Sequence, residues 1–192
     1  LGEGTTSRDA VRNRESHSKE LSELAKAAHA ANSTLGTASL QLFGFPDNRL
    51  DSIDRLDVIK DVEKQILSLK PNIVVTHHSG DINIDHRIIH EAVVTACRPQ
   101  PGNTVKRLMA FEVASSTEWQ TPGSAPIFQP NWFEDISPFI NQKLKALEAY
   151  HSELRPWPHS RSITAVEQLA RWRGASVGIE AAEAFMLLRN IA

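Results

Sequence analysis

Apolar residues recur along the chain at two spacings, and the spacings divide it into elements. Val11, Leu21, Leu24, Ala25 and Ala28 fall on one helical face between Ser7 or Asp9 and about Ala31, with Ser7 placed as an N-cap. Ser39 to Phe45 alternates and stops at Pro46-Asp47-Asn48, which predicts a short strand ending in a turn. Leu56, Ile59, Val62, Ile66 and Leu69 return to helical spacing up to Pro71. Asn72-Ile73-Val74-Val75-Thr76 is β-branched without polar alternation, the pattern of a strand buried on both faces.

A polar loop from His77 to Asp85 leads into a helix from about His86 to Cys97. Pro99-Gln100-Pro101-Gly102 ends it, and Val105 to Val113 predicts another strand. Ser115 to Asp135 is rich in Pro, Gly, Ser and Trp, so it predicts a long loop with a strand near Trp132. A helix follows from Pro138 to about Tyr150, an extended segment at Pro156-Trp157-Pro158, and a helix from Ser162 to about Arg173. Glu180 to Arg189 fits helix or strand. Strands alternating with helices predict an α/β fold: a three-layer, Rossmann-like domain around a mainly parallel sheet, with residues 1–192 as one domain.

Composition narrows the class. At 192 residues, 41% hydrophobic and 23% charged, the chain is neither a disordered tail nor a disulfide-stapled miniprotein. Its net charge of -2 argues against a protein built to bind nucleic acid or anionic membrane, and no apolar run approaches the roughly 18 residues that span a bilayer. Cys97 is the only cysteine, which fits a reducing, cytoplasmic setting.

Chemistry concentrates in Thr76-His77-His78-Ser79-Gly80-Asp81-Ile82-Asn83-Ile84-Asp85-His86-Arg87. The segment lies at the carboxyl end of a predicted buried strand, the edge where open α/β sheets bind ligands. Asp81-x-Asn83-x-Asp85 imitates the start of a calcium loop, but His86 and Ala92 stand where that loop needs Gly and Glu. His86 and His90 share a helical face as in zinc-binding helices, yet Arg87 replaces the expected Glu, so His90 is expected to pack within the fold. His86 remains as a single candidate ligand, and a catalytic zinc takes three. His77 and His78, at consecutive positions leaving the strand, are expected to point one to each face, so at most one can face a site at that edge. Each residue also has a plain structural reading, a polar loop closed by an Asp cap.

The run from Ile73 to Arg87 resembles the second signature of the PIG-L/LmbE-like zinc-dependent N-deacetylases, which hydrolyse N-acetyl groups, mostly on amino sugars. Ser7-Arg8, Phe45-Pro46-Asp47-Asn48, Ala170-Arg171-Trp172-Arg173-Gly174, Gly178 and Ala182-Glu183-Ala184-Phe185 add to the likeness. The resemblance implies that His86 is a zinc ligand. It places the other two ligands, a His and an Asp, and the general-base Asp in a His-Pro-Asp-Asp type motif after the first strand. No such motif occurs here, and the expectation is a chain entered after the family's first strand-helix segment.

Several family members carry a His where this chain has Asn83. An Asn amide still donates a neutral hydrogen bond to an oxyanion, a contact worth about 3 kcal/mol of transition-state stabilisation. Asp85 is the candidate to fix the loop or orient a neighbouring ring. Arg8 is a candidate for a substrate phosphate or sugar hydroxyl, or is an exposed arginine without a role. Asp47 and Asn48 would contact sugar hydroxyls, or simply form a Pro-Asp-Asn turn. Trp157, His159 and Arg161, like Trp119 and Trp132, fit either a sugar pocket or core packing.

Two functions follow: a zinc-dependent hydrolase removing acetyl from an amino sugar or its conjugate, or a catalytically silent sugar- or nucleotide-binding domain with an incomplete metal site. An unrelated nucleotide-binding protein is disfavoured because no Gly-x-Gly-x-x-Gly or P-loop pattern occurs. The expected partner is a small molecule rather than nucleic acid, with a homo-oligomer left open.

Overall fold

The structure is a computed structural model describing all residues, Leu1–Ala192. Five helices and four strands alternate in an α/β fold. They are α1 (Ser18–Leu35), α2 (Arg55–Leu69), β1 (Ile73–His77), α3 (Ile84–Ala96), β2 (Arg107–Phe111), β3 (Trp132–Asp135), α4 (Ile140–Glu148), α5 (Ile163–Ala175) and β4 (Ala182–Asn190). The chain condenses into two compact units: residues 1–47 with 133–183, and residues 48–132 with 184–192. No helix is long and apolar enough to cross a membrane.

In the first unit α4 packs on α1 and on α5. Ile140, Ala170 and Ala181 form its buried centre, with Ile136 and Leu144 against them. Gly174 permits a close approach there: a Cβ on it would lie 2.7 Å from the backbone N and Cα of Ala181. The predicted first helix starts later than the apolar spacing indicates. Ser7 lies in a single 3₁₀ turn, Thr6–Arg8, and α1 begins at Ser18. Two local features delay it. The buried carboxylate of Glu3 holds Arg12 at 2.7 Å and Arg14 at 2.9 Å, and Asn13 Oδ1 accepts from the backbone N–H of Glu15 and Ser16. The strand expected over 39–45 is reduced to one parallel bridge, Gly2 with Phe45, because no longer partner runs beside it.

In the second unit α2 and α3 pack together, and α3 lies against β1. Val58, Ile88, Ile89, Ala92, Val93, Leu108, Met109 and Ala110 are buried there. α2 starts at Asp54, whose side chain accepts from Leu56 N–H, and stops at Lys70 in the left-handed region just before Pro71. β1 and β2 are parallel, Ile73 facing Arg107 and His77 facing Phe111. β4 returns antiparallel to β2, which settles the C-terminal segment as a strand, and the sheet order is β1-β2-β4-β3. The sheet is therefore mixed, with one parallel pair. The expectation that β1 is covered on both faces fails: β1 is an edge strand, and Ile73 and Val75 are 45% and 42% exposed.

Candidate active site

Parallel strands bring their carboxyl ends to one edge, so the loops after β1 and β2 meet beyond His77 and Phe111. The first loop carries the histidine-rich motif. Asn83 caps α3, its Oδ1 accepting from Asp85 N–H at 2.9 Å and His86 N–H at 3.4 Å. This places His86 in the first turn of the helix, beside the chain leaving β1. Arg87 fastens the loop from outside, its Nη1 donating to the carbonyls of Asp81 at 2.7 Å and Ile82 at 2.8 Å.

The centre of the cluster is Asp81, whose side chain is fully buried. Its Oδ2 lies 3.2 Å from His86 Nδ1 and accepts from Thr117 Oγ1 at 2.9 Å. Its Oδ1 accepts from Asn83 N–H at 2.9 Å and from the Ser116 hydroxyl. Burial opposes ionisation of Asp81, but the hydrogen bonds from His86, Ser116 and the Asn83 backbone outweigh it and bring its carboxyl down to about 2. A lasting anion thus sits behind the imidazole.

His77 covers His86 from the strand side, the rings stacked 4.2 Å apart, and tilts against Phe111 at 4.8 Å. Burial, with the neighbouring His86 next in weight, pushes its imidazole down to about 3, so His77 is a neutral wall. His78, the first residue beyond β1, makes its contacts elsewhere. It is buried, its Nε2 donates to the Pro126 carbonyl at 2.9 Å, and its ring meets Phe128 edge-on. His90 Nδ1 donates to the His77 carbonyl at 2.7 Å and so packs within the fold.

Asp85 is buried and faces away from the imidazole. Its two oxygens accept from the backbone N–H of Asn48 at 2.7 Å and Leu50 at 3.0 Å, so it anchors the 48–50 turn while Asp81 orients the ring. Asn48 is held in that turn with φ 51°. Arg8 and Asp47 belong to the first unit. Arg8 pairs with Glu153 at 2.8 Å, and Asp47 accepts from Ser7 through its N–H at 3.3 Å and hydroxyl at 2.5 Å. Sequence reasoning placed Asp81 in the motif without a role beside His86, and it missed Ser116 and Thr117 as parts of the cluster. The signal available for those two was topological: a loop that follows a strand parallel to β1 ends at the same edge.

Ser, His and Asp meet here without forming a nucleophilic triad. In a triad the serine and the aspartate engage opposite nitrogens of the imidazole, whereas Ser116 and Asp81 both meet His86 at Nδ1. With Nδ1 occupied, Nε2 is the nitrogen available to bind a metal, the arrangement usual around metal-binding imidazoles. In that respect His86 fits a zinc. The full donor set does not: no group of three or more His, Cys, Asp or Glu side chains comes together to hold a metal ion.

The sequence profile of the family described as PIG-L, GlcNAc-PI de-N-acetylase, matches residues 1–97, just over half of the chain and inclusive of the whole His86 cluster on its first loop. The chain belongs to the PIG-L family. No curated protein sequence matches it significantly. Among solved structures, the conserved protein TT1542 from Thermus thermophilus is 25% identical with a TM-score of 0.69, over 89% of this chain and 75% of that one. The N,N'-diacetylchitobiose deacetylase from Pyrococcus horikoshii is 16% identical with a TM-score of 0.67, over 88% of this chain and 64% of that one. GalB, the 4-carboxy-2-hydroxymuconate hydratase from Pseudomonas putida, is 17% identical with a TM-score of 0.71, over 97% of this chain and 78% of that one. The PIG-L chain thus shares its fold with enzymes of more than one chemistry, so the fold alone does not name a reaction.

Proposed function

We propose that this PIG-L chain serves a zinc-dependent N-deacetylase that hydrolyses the acetamide of an amino sugar or its conjugate, with His86 Nε2 as one metal-binding atom. The observation that carries this reading is the buried Asp81 fixed against His86 Nδ1, within a segment matched by a de-N-acetylase family. A zinc, when bound, supplies Lewis acidity and lowers the pKa of its water towards about 7. Its remaining protein ligands are not among the groups brought together here.

The chain's own residues have separate tasks. Asp81 orients His86 and keeps negative charge behind it. Asn83 uses its carbonyl oxygen as the α3 cap, which reserves its amide N–H groups for an oxyanion. Asp85 contributes by holding the 48–50 turn. Asn48, in the turn that Asp85 holds, is the candidate for a sugar hydroxyl. Acetate release from a panel of N-acetylated amino sugars and their conjugates, with N-acetyl peptides as controls, tests the reading. Release from the sugars that disappears with a chelator and returns with zinc supports it; metal-independent release, or none, sinks it.

The lack of a three-ligand group favours a second reading, a catalytically silent sugar- or nucleotide-binding domain. Metal analysis separates the two. One equivalent of zinc retained through gel filtration contradicts the silent reading, and sugar binding without metal or turnover supports it.

A further inference from the structure

We infer that the turn at 113–118, acting through Asp81, is a positioning device that locks His86 in its Nδ1–H tautomer and reserves the Nε2 lone pair for the site. Ser116 and Thr117 are the positioning residues. The inference rests on reading His86 as the reactive imidazole and adds a role for a loop that the motif does not include.

A count of hydroxyl protons carries it. Thr117 Oγ1 accepts from Val113 N–H at 2.8 Å, so its single proton goes to Asp81 Oδ2 at 2.9 Å. The Ser116 hydroxyl gives its proton to Asp81 Oδ1, which also receives Asn83 N–H. His86 Nδ1 therefore meets two oxygens with no proton to offer, Asp81 Oδ2 at 3.2 Å and Ser116 Oγ at 3.4 Å. Asp81 and Ser116 are buried, so water does not mediate. A bare Nδ1 would face two lone pairs; a protonated one is satisfied.

The turn itself is built rather than loose. Ser115 sits at φ 66°, and Glu118 takes its N–H at 2.6 Å and that of Ser116 at 3.2 Å. The N–H groups of Ser116 and Thr117 both return to the Val113 carbonyl. A neutral imidazole left to itself exchanges between tautomers, and in the Nε2–H form that nitrogen neither binds a metal nor accepts a proton.

Two-bond proton–nitrogen spectra of the histidine-labelled, metal-free chain read the tautomer directly. They are recorded at about pH 8.5, roughly two units above the ordinary imidazole pKa, with His86→Gln identifying the resonance. The native chain is expected to show Nδ1 protonated and Nε2 bare. Ser116→Ala and Thr117→Val shift both nitrogen resonances towards a tautomer mixture, and Thr117→Ser restores the native pattern. A native spectrum with protonated Nε2 overturns the inference, as do folded variants that keep the native tautomer. If a variant does not fold, the native spectrum and Thr117→Ser still decide. The readout needs no turnover, so a failed deacetylase assay leaves this result standing and a failed tautomer result leaves that assay standing.

Discussion

At the residue scale the site separates carboxylates that look alike in the sequence. Asp81 and Asp85 flank Asn83 at equal distance, and the sequence left Asp85 either to fix the loop or to orient a neighbouring ring. Helix geometry divides the two tasks: Asp85 turns to the 48–50 backbone and anchors it, and Asp81, before the cap, lies against the imidazole. Asp85→Ala leaves two backbone donors without their acceptor. The expected loss is about 1–3 kcal/mol of unfolding free energy in urea, the cost of orphaning the buried Leu50 N–H, since the N–H of exposed Asn48 can turn to water. A variant as stable as the native chain contradicts that anchoring role. Cys97 offers a pH test. Burial raises its thiol above the ordinary value, so the unfolded chain ionises first. Its share of stability is therefore present below about pH 9 and is lost as the pH rises further. Thiol reagents at pH 8 should label Cys97 only in step with unfolding; fast labelling of the native chain would contradict its burial.

At the element scale, amphipathic periodicity located α2 through α5 to within a few residues, because each helix satisfies its backbone internally and shows its buried face in its own spacing. Strands were less legible. Residues 39–45 alternate as a strand should but find only Gly2 beside them, and residues 182–190 become a strand through β2, some 75 positions earlier. The loop after β2 was legible only as a loop; its hold on Asp81 depends on the parallel register of β1 and β2. Gly80 marks how tightly the motif is overlaid. A Cβ there would lie 2.0 Å from the Pro126 carbonyl oxygen, backbone that cannot simply turn aside. Gly80→Ala should cost about 1–3 kcal/mol, as overpacking does. Ser162→Ala, which removes only the α5 cap, should cost about 1 kcal/mol. Equal denaturation midpoints for Gly80→Ala and the native chain would contradict the close crossing.

At the scale of the whole molecule, the proposal for His86 rests on two observations: the family match over residues 1–97 and the buried Asp81 beside its imidazole. The α/β architecture and the ligand-binding edge were legible because a β-branched run, a polar loop and a helix in that order determine where a loop can sit. The number of metal ligands was not recoverable from the motif, since ligands gather from separate parts of a chain, and the structure brings no three together. The central claim is that His86 Nε2 is the chain's contribution to a metal-assisted deacetylation. Acetate release from an N-acetylated amino-sugar conjugate, compared in the zinc-supplied native protein and its His86→Ala variant, tests it most directly. Release in the native protein, falling in His86→Ala by more than the roughly 10- to 100-fold cost of losing an outer-sphere partner, is the predicted result. Undiminished release by a folded His86→Ala variant would contradict it.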